Sequence, residues 1–162
     1  MPVARKSRLL AIVICFAAFY GFLIKAALSP SLPSPTVPLI LYSNQNRDDL
    51  RLVFKKSFAK STQSIDVWMY AATDTLLLRQ LQKRAEEGLQ VTIHFDKRGG
   101  TPLLPASLHP QAVKSKGLMH RKIVILDDTT VFIGSANMTT SSLQHHDNLT
   151  PRQRGLTLKP IH

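Results

Sequence analysis

Ser64 to Tyr70 reads SIDVWMY, Leu89 to Phe95 reads LQVTIHF, and Leu76, Leu77, Leu78 and Leu81 lie between them in a segment closed by Gly88. The two flanking runs are rich in β-branched and aromatic residues and read as buried strands. The middle segment, Asp74 to Glu87, opens on a good capping residue, repeats leucine at helical spacing and ends on a glycine stop. Strand, helix, strand in this order predicts a right-handed βαβ unit with a parallel pair. The expected class is therefore α/β, with a mixed, mostly parallel sheet flanked by helices. In open sheets of this kind ligands gather beyond the strands' carboxyl ends, where Asp96, Lys97 and Arg98 fall.

Working outward, Val37 to Tyr42 is a short apolar run suited to a first strand. Asn44 to Asn46 can cap a helix whose positive end is favoured by Asp48 and Asp49. Leu50, Val53, Phe54, Ser57 and Phe58 then recur at helical spacing to about Lys60. On the other side, Thr101 to Ala112 reads as a proline-containing loop. Leu118 to Leu126 and Thr130 to Ser135 read as two strands joined tightly through Asp127 and Asp128, a hairpin. Trp68 and Tyr70 read as packing. The end of the chain, residues 150–162, has no strand or helix period and reads as an irregular tail.

The first 28 residues form a separate segment. Arg5, Lys6 and Arg8 precede sixteen apolar residues from Leu9 to Ile24, and Lys25 interrupts the run before Ala26, Ala27 and Leu28. Such a segment is read as a single-pass membrane anchor if Lys25 snorkels, or as an export signal removed after use, which would leave the chain exported or periplasmic. Residues 29–38 hold four prolines and three serines, a stiff linker. The one cysteine, Cys15, lies inside the apolar run, so the remainder has no intramolecular disulfide and no cysteine metal site.

The 162 residues carry a formal net charge of +11. Setting aside the four cations of the first segment leaves 17 cations against 10 acids, a balance that favours a polyanionic partner, either nucleic acid or an anionic phospholipid surface. Lys114, Lys116 and Arg121 extend a basic track, and His94 flanks the predicted site, where it could touch substrate. His145, His146 and Asp147 read as loop, because adjacent histidines point in different directions.

One motif carries chemistry. His120, Lys122, Asp127, Gly134, Ser135 and Asn137 follow the pattern H-x-K-x4-D-x6-G-S-x-N. With residue types near one in twenty each, six fixed positions coincide by chance about once in 10⁸ starting points. Side chains alternate across a strand, so His120 and Lys122 share a face, and Ser135 and Asn137 share one if the chain stays extended. Gly134 lets the backbone approach a ligand. A phosphodiester is anionic and resists attack, so its cleavage needs positive charge where charge develops. Lys122 supplies a point charge and Asn137 an amide donor. A neutral imidazole, with an ordinary pKa of about 6.5, can act as nucleophile, and a second one can protonate the leaving oxygen.

These six residues resemble the H-K-D signature of the phospholipase D superfamily. SIDVWMY, the helix after it, VTIHFDKRGG and HHDNL resemble that family's single-motif nucleases, over about Val37 to Leu149, 113 of 162 residues. The resemblance implies a phospholipase D-like catalytic domain over residues 39–149 and no cofactor or metal. It implies a covalent phosphohistidine at His120, phosphate held by Lys122 and Asn137, and support from Ser135, with Asp127 shaping the hairpin or orienting other groups. Lys97, Arg98 and Gly134 are the expected substrate contacts. Members with one motif pair as homodimers, which supplies the second histidine. The expected activity is hydrolysis of phosphodiester bonds, in nucleic acid first and in a cardiolipin-type phospholipid as the alternative. The family continues past the HHDNL-like stretch into a further strand and helix that residues 150–162 do not match, and Asp147 stands where those nucleases carry glutamate. A truncated, inactive relic is the third reading.

Overall fold

A computed structural model describes residues 2–27, 29–114, 116–145 and 148–150. The chain divides into two units, Met1–Ser31 and Leu32–His162. In the first, helix α1 spans Pro2–Ala27, and the large apolar side chains it presents between Leu10 and Ile24 are exposed. Among the described residues, no helix is long and apolar enough to cross a membrane.

The second unit is an α/β domain built on one seven-stranded sheet. Its strands are β1 (Tyr42–Ser43), β2 (Ser64–Met69), β3 (Gln90–Phe95), β4 (Pro110–Ala112), β5 (Lys122–Leu126), β6 (Thr130–Gly134) and β7 (Asn148–Thr150). Their order in space is β1-β7-β6-β5-β2-β3-β4. The expected βαβ unit is present: β2 and β3 are parallel, with helix α3 (Thr75–Glu86) between them in the chain. Asp74 caps α3, accepting from the Leu77 N–H at 3.1 Å, and Gly88 follows its end at φ +95°.

The sheet is mixed, but the expectation of mostly parallel pairing is corrected. Only β2–β3 and β3–β4 are parallel, whereas β2–β5, β5–β6, β6–β7 and β1–β7 are antiparallel. The reason is the tight turn after β5. Asp127 and Asp128 both adopt left-handed φ, 51° and 53°, and Thr129 N–H donates to Leu126 O at 3.1 Å. Two consecutive left-handed residues match the twist of a hairpin and fold β6 straight back on β5.

Two further expectations fail. The run from Val37 gives a strand only at Tyr42–Ser43, with Leu39 and Leu41 exposed. Pro38 removes a ladder donor there. The loop from Thr101 instead contains β4, which Pro110 can open because it lies at the sheet's edge.

Burial is one-sided, so β2 is not the doubly buried strand expected. Ile65, Val67 and Met69 are buried, while Asp66 and Trp68 are half-buried. The buried face packs with α2 (Leu50–Lys60) and α3 into a core containing Phe54, Phe58, Leu77, Leu81, Ile93, Val124 and Phe132. Asp49, not Asn44 to Asn46, caps α2, accepting from Leu52 N–H at 2.9 Å. Helix α4 (Thr140–Gln144) adds Leu143 to this core. Tyr42 lies at its margin, where burial first and the Asp48 carboxylate second push its phenol up to about 12.

Candidate active site

The strand directions bring the motif, Asp127 apart, to one end of the sheet. Lys122, the first residue of β5, stands opposite Met69, the last residue of β2. Because β6 runs antiparallel to β5, its carboxyl end at Gly134 comes to the same edge. Strand β3, parallel to β2, ends there too, at Phe95. His120 to Lys122, Gly134 to Asn137, Tyr70 to Ala72 and Asp96 to Gly99 therefore border one rim.

His120 is exposed and precedes the strand, which corrects its expected position within β5. Its segment is nevertheless held extended on both sides. Arg121 O accepts from Tyr70 N–H at 3.2 Å, continuing the ladder, and Met119 N–H donates to Asp96 Oδ2 at 3.0 Å. The His120 ring lies 5.9 Å, centroid to centroid, from Tyr70. Lys122 is only 7% exposed, and its ammonium donates to His120 O at 3.2 Å. A buried cation beside an exposed imidazole can hold an anion drawn to that imidazole.

Past β6 the chain does not stay extended in register with its neighbour, as the expectation for Ser135 and Asn137 required. It bends at Ser135, which is exposed, and Met138 makes an isolated bridge to Ala72. Ala136 and Met138 are fully buried, which pins Asn137 between them. Asn137 Oδ1 faces the Ala71 N–H at 3.4 Å, so the carboxamide's N–H groups are its donors toward other partners. Met138 O accepts from Thr73 and Asp74 N–H at 2.9 and 3.0 Å. Buried Asp74 fixes that junction, taking a hydrogen bond from Arg51 Nε at 2.9 Å and another from Thr140 Oγ1 at 3.0 Å.

Asp127 is the motif residue that the fold separates from the rest. It lies beyond Leu126, at the far end of β5, and its carboxylate accepts from the N–H groups of Thr62, Gln63 and Ser64 at 2.8 to 3.1 Å. It clamps the entry to β2, in keeping with a hairpin-shaping part and not with catalysis.

Lys97 and Arg98 follow β3 in a single 3-10 turn. Lys97 is exposed; Arg98 is committed elsewhere. Its Nε and Nη2 donate to Asp96 Oδ1 and Oδ2 at 2.8 and 2.6 Å, and Nη2 also donates to Gly117 O at 2.6 Å. Hydrogen bonds from Arg98, then from Met119 N–H, hold the Asp96 carboxyl well below the usual carboxylate range. Gly99 is required by closeness: a Cβ there would lie 1.9 Å from Tyr70 O.

Tyr70 is the residue that sequence reasoning left out of the site, and Asp96, placed with Lys97 and Arg98 beyond the strand end, had been given no role there. The signal for Asp96 was a carboxylate two positions before an arginine at a strand's end. For Tyr70 there was only its place just past β2. His94 faces away from the motif. Its ring stacks on Trp68 at 3.7 Å, and Nε2 lies 3.2 Å from Asp66 Oδ1, close enough for an ion pair but poorly aligned for a hydrogen bond. Arg121 sits over the other aromatic of that group, 5.2 Å from the Trp68 centroid. His145 Nδ1 lies 3.3 Å from Ser141 O, and His146 and Asp147 fall outside the described residues. A cavity of about 570 Å³ between α2 and α3 is lined by none of the motif residues.

An α/β sheet with all of this motif but Asp127 gathered on one rim defines a class, and comparison with known proteins agrees. Residues 54–151, more than half of the chain, match the family described as "Cardiolipin synthase, PLD-like domain". The chain belongs to the phospholipase D superfamily, whose members are phosphodiesterases. Among solved structures it is similar to Nuc from Salmonella typhimurium, a phospholipase D family member, at 22% identity and a TM-score of 0.56, over 64% of this chain and 75% of that one. It is also similar to NucT from Helicobacter pylori at 20% identity and a TM-score of 0.57, over 72% of this chain and 84% of that one. No curated protein matches the chain.

Proposed function

We propose that the chain hydrolyses phosphodiester bonds of nucleic acid through a phosphohistidine at His120. The observation that supports this best is the buried Lys122 beside the exposed imidazole, on the rim that also carries Gly134 to Asn137. An imidazole nitrogen of His120 attacks phosphorus, an N–P bond forms and the P–O bond to the leaving oxygen breaks. That oxygen takes a proton from a second imidazole, the same residue of a partner subunit in a homodimer. Water then attacks phosphorus, the N–P bond breaks, and the second imidazole accepts the water's proton. Lys122 and the Asn137 amide steady the non-bridging oxygens throughout, and Ser135 supports them.

The test is incubation of the chain with labelled DNA and RNA. Wild type cleaves, His120→Ala loses ~10³-fold or more, and wild type quenched in denaturant at alkaline pH carries a phosphoryl adduct on His120. Equal cleavage by both forms would refute the reading. A second reading keeps the chemistry and places it on a cardiolipin-type phospholipid. It rests on the exposed apolar side chains of α1 and on the match to a cardiolipin-synthase-type family. In either reading α1 attaches the chain to a membrane, and flotation of the full chain with liposomes, lost on deletion of residues 1–28, checks it.

A further inference from the structure

A cleft of about 460 Å³ adjoins the candidate nucleophile, lined by Asp96, Lys97, Arg98, Val113, Lys114 and Lys116. The carboxylate in its wall accepts from Met119 N–H, one Cα step of ~3.8 Å from His120. A second link runs through Tyr70, whose hydroxyl donates to Arg98 O at 3.2 Å and whose ring lies 5.9 Å from that of His120. Cleft and rim are thus one continuous surface.

Its charge is lopsided. Asp96 is neutralised by the Arg98 fork. Among the described residues, Lys97, Lys114 and Lys116 have no ion-pair partner. Three ammonium groups around one opening repel one another, and an anion seated between them relieves that repulsion. The walls are held in place without a ligand. Val113 N–H donates to Phe95 O at 2.9 Å, and Gly117 O accepts from Arg98 Nη2 at 2.6 Å, so both ends of the segment bearing Lys114 and Lys116 are tied to β3 and the turn after it. Val113 is the one aliphatic residue in the lining, and the other five carry charged heads.

Building on the phosphodiesterase reading, we propose that this cleft binds a backbone phosphate next to the one attacked by His120, so that the substrate is a polynucleotide strand gripped at several phosphates. A single phosphodiester would fill the rim and leave the three lysines unused. The strand continues past the cut toward Lys97, Lys114 and Lys116, which set affinity and position and leave the bond-breaking to the motif.

The experiment measures binding, which separates it from turnover. Full-length chain carrying His120→Ala is titrated with a labelled single-stranded dodecamer, with a dinucleotide holding one phosphodiester, and with anionic phospholipid vesicles, across a series of salt concentrations. Each phosphate contact on a single strand contributes ~0.7 to the slope of log affinity against log salt. Replacing Lys97, Lys114 and Lys116 together by Gln lowers that slope by roughly 0.7 for the dodecamer and weakens its binding tenfold or more at low salt. Replacing the same three by Arg keeps both near the starting values, which excludes a folding defect. The proposal is overturned if the Gln variant keeps the original slope, if the dinucleotide weakens in the same proportion, or if the chain takes vesicles and not the dodecamer. Cleavage by wild type, scored separately, reports on the phosphohistidine reading alone.

Discussion

Lys122 enters β5 buried at its amino end, and Asp127 leaves it at the other, about 17 Å away along the strand. Two residues of one motif therefore answer to different measurements. On the proposed mechanism, Lys122→Met removes the charge offered to the phosphoryl oxygens and lowers kcat by ~10²- to 10³-fold, while the melting temperature changes little. Asp127→Ala strips acceptors from the N–H groups of Thr62, Gln63 and Ser64 and costs about 1–3 kcal/mol of stability. The rate per folded molecule survives. A large rate loss in Asp127→Ala at unchanged melting temperature would contradict this division. The spacing H-x-K-x4-D is legible as a motif, but spacing carries no direction. Only the strand's course shows that the last member lies at the wrong end of the sheet for phosphate.

At the scale of elements, the rim depends on a carboxylate that joins two segments. Asp96 fastens Arg98 at the end of β3 and Met119 ahead of β5, across 23 residues of sequence. Its folded pKa is depressed, so the folded state holds the anion. The stabilisation is fully present above the ordinary aspartate value of about 3.9 and is lost as pH falls toward the lower native value. Thermal melts taken from neutral pH into acid should show this as a falling limb below about pH 4. Asp96→Asn should start from a lower melting temperature at neutral pH, show a flatter acid limb, and cleave more slowly because the His120 segment loses its tether. An unchanged acid limb would exclude Asp96 as its source. Helix α2 and the β2–α3–β3 unit were legible because apolar spacing and strand composition are local, whereas the five-residue α4 was not read. The partners of Asp96 were not, since nothing local connects an aspartate with an N–H so far along the chain. Strand β4 escaped for a similar reason: three residues opening on a proline make no pattern until β3 lies beside them.

For the molecule as a whole, the decisive property is a sheet covered on one face by α2, α3 and α4 and half-exposed on the other among the described residues. Phe132, 1% exposed, packs edge-on to Phe54 with ring centroids 5.6 Å apart, whereas its neighbour Ile133 is 50% exposed. Phe132→Ala should cost ~3–5 kcal/mol, and Ile133→Thr should stay within about 0.5 kcal/mol, both read from denaturant unfolding. Similar costs at the two positions would mean that the second face is covered too. Composition alone misjudged this, because a run such as SIDVWMY suits a strand with either one or two faces buried. The parallel pair was visible locally, while the antiparallel ladders depend on contacts between distant segments. The reversal at Asp127 and Asp128 then has a reach beyond its size. It sets which residue of β6 stands against which residue of β5, so it also decides where Ser135 and Asn137 finish relative to Lys122. Adding a single amino acid to that bend would slip the alignment by one and turn the carboxamide to the opposite surface. Catalytic spacing at one end of the molecule is thus gauged by a hinge of two aspartates at the other, and a loop-length variant could silence the chain with every motif residue intact.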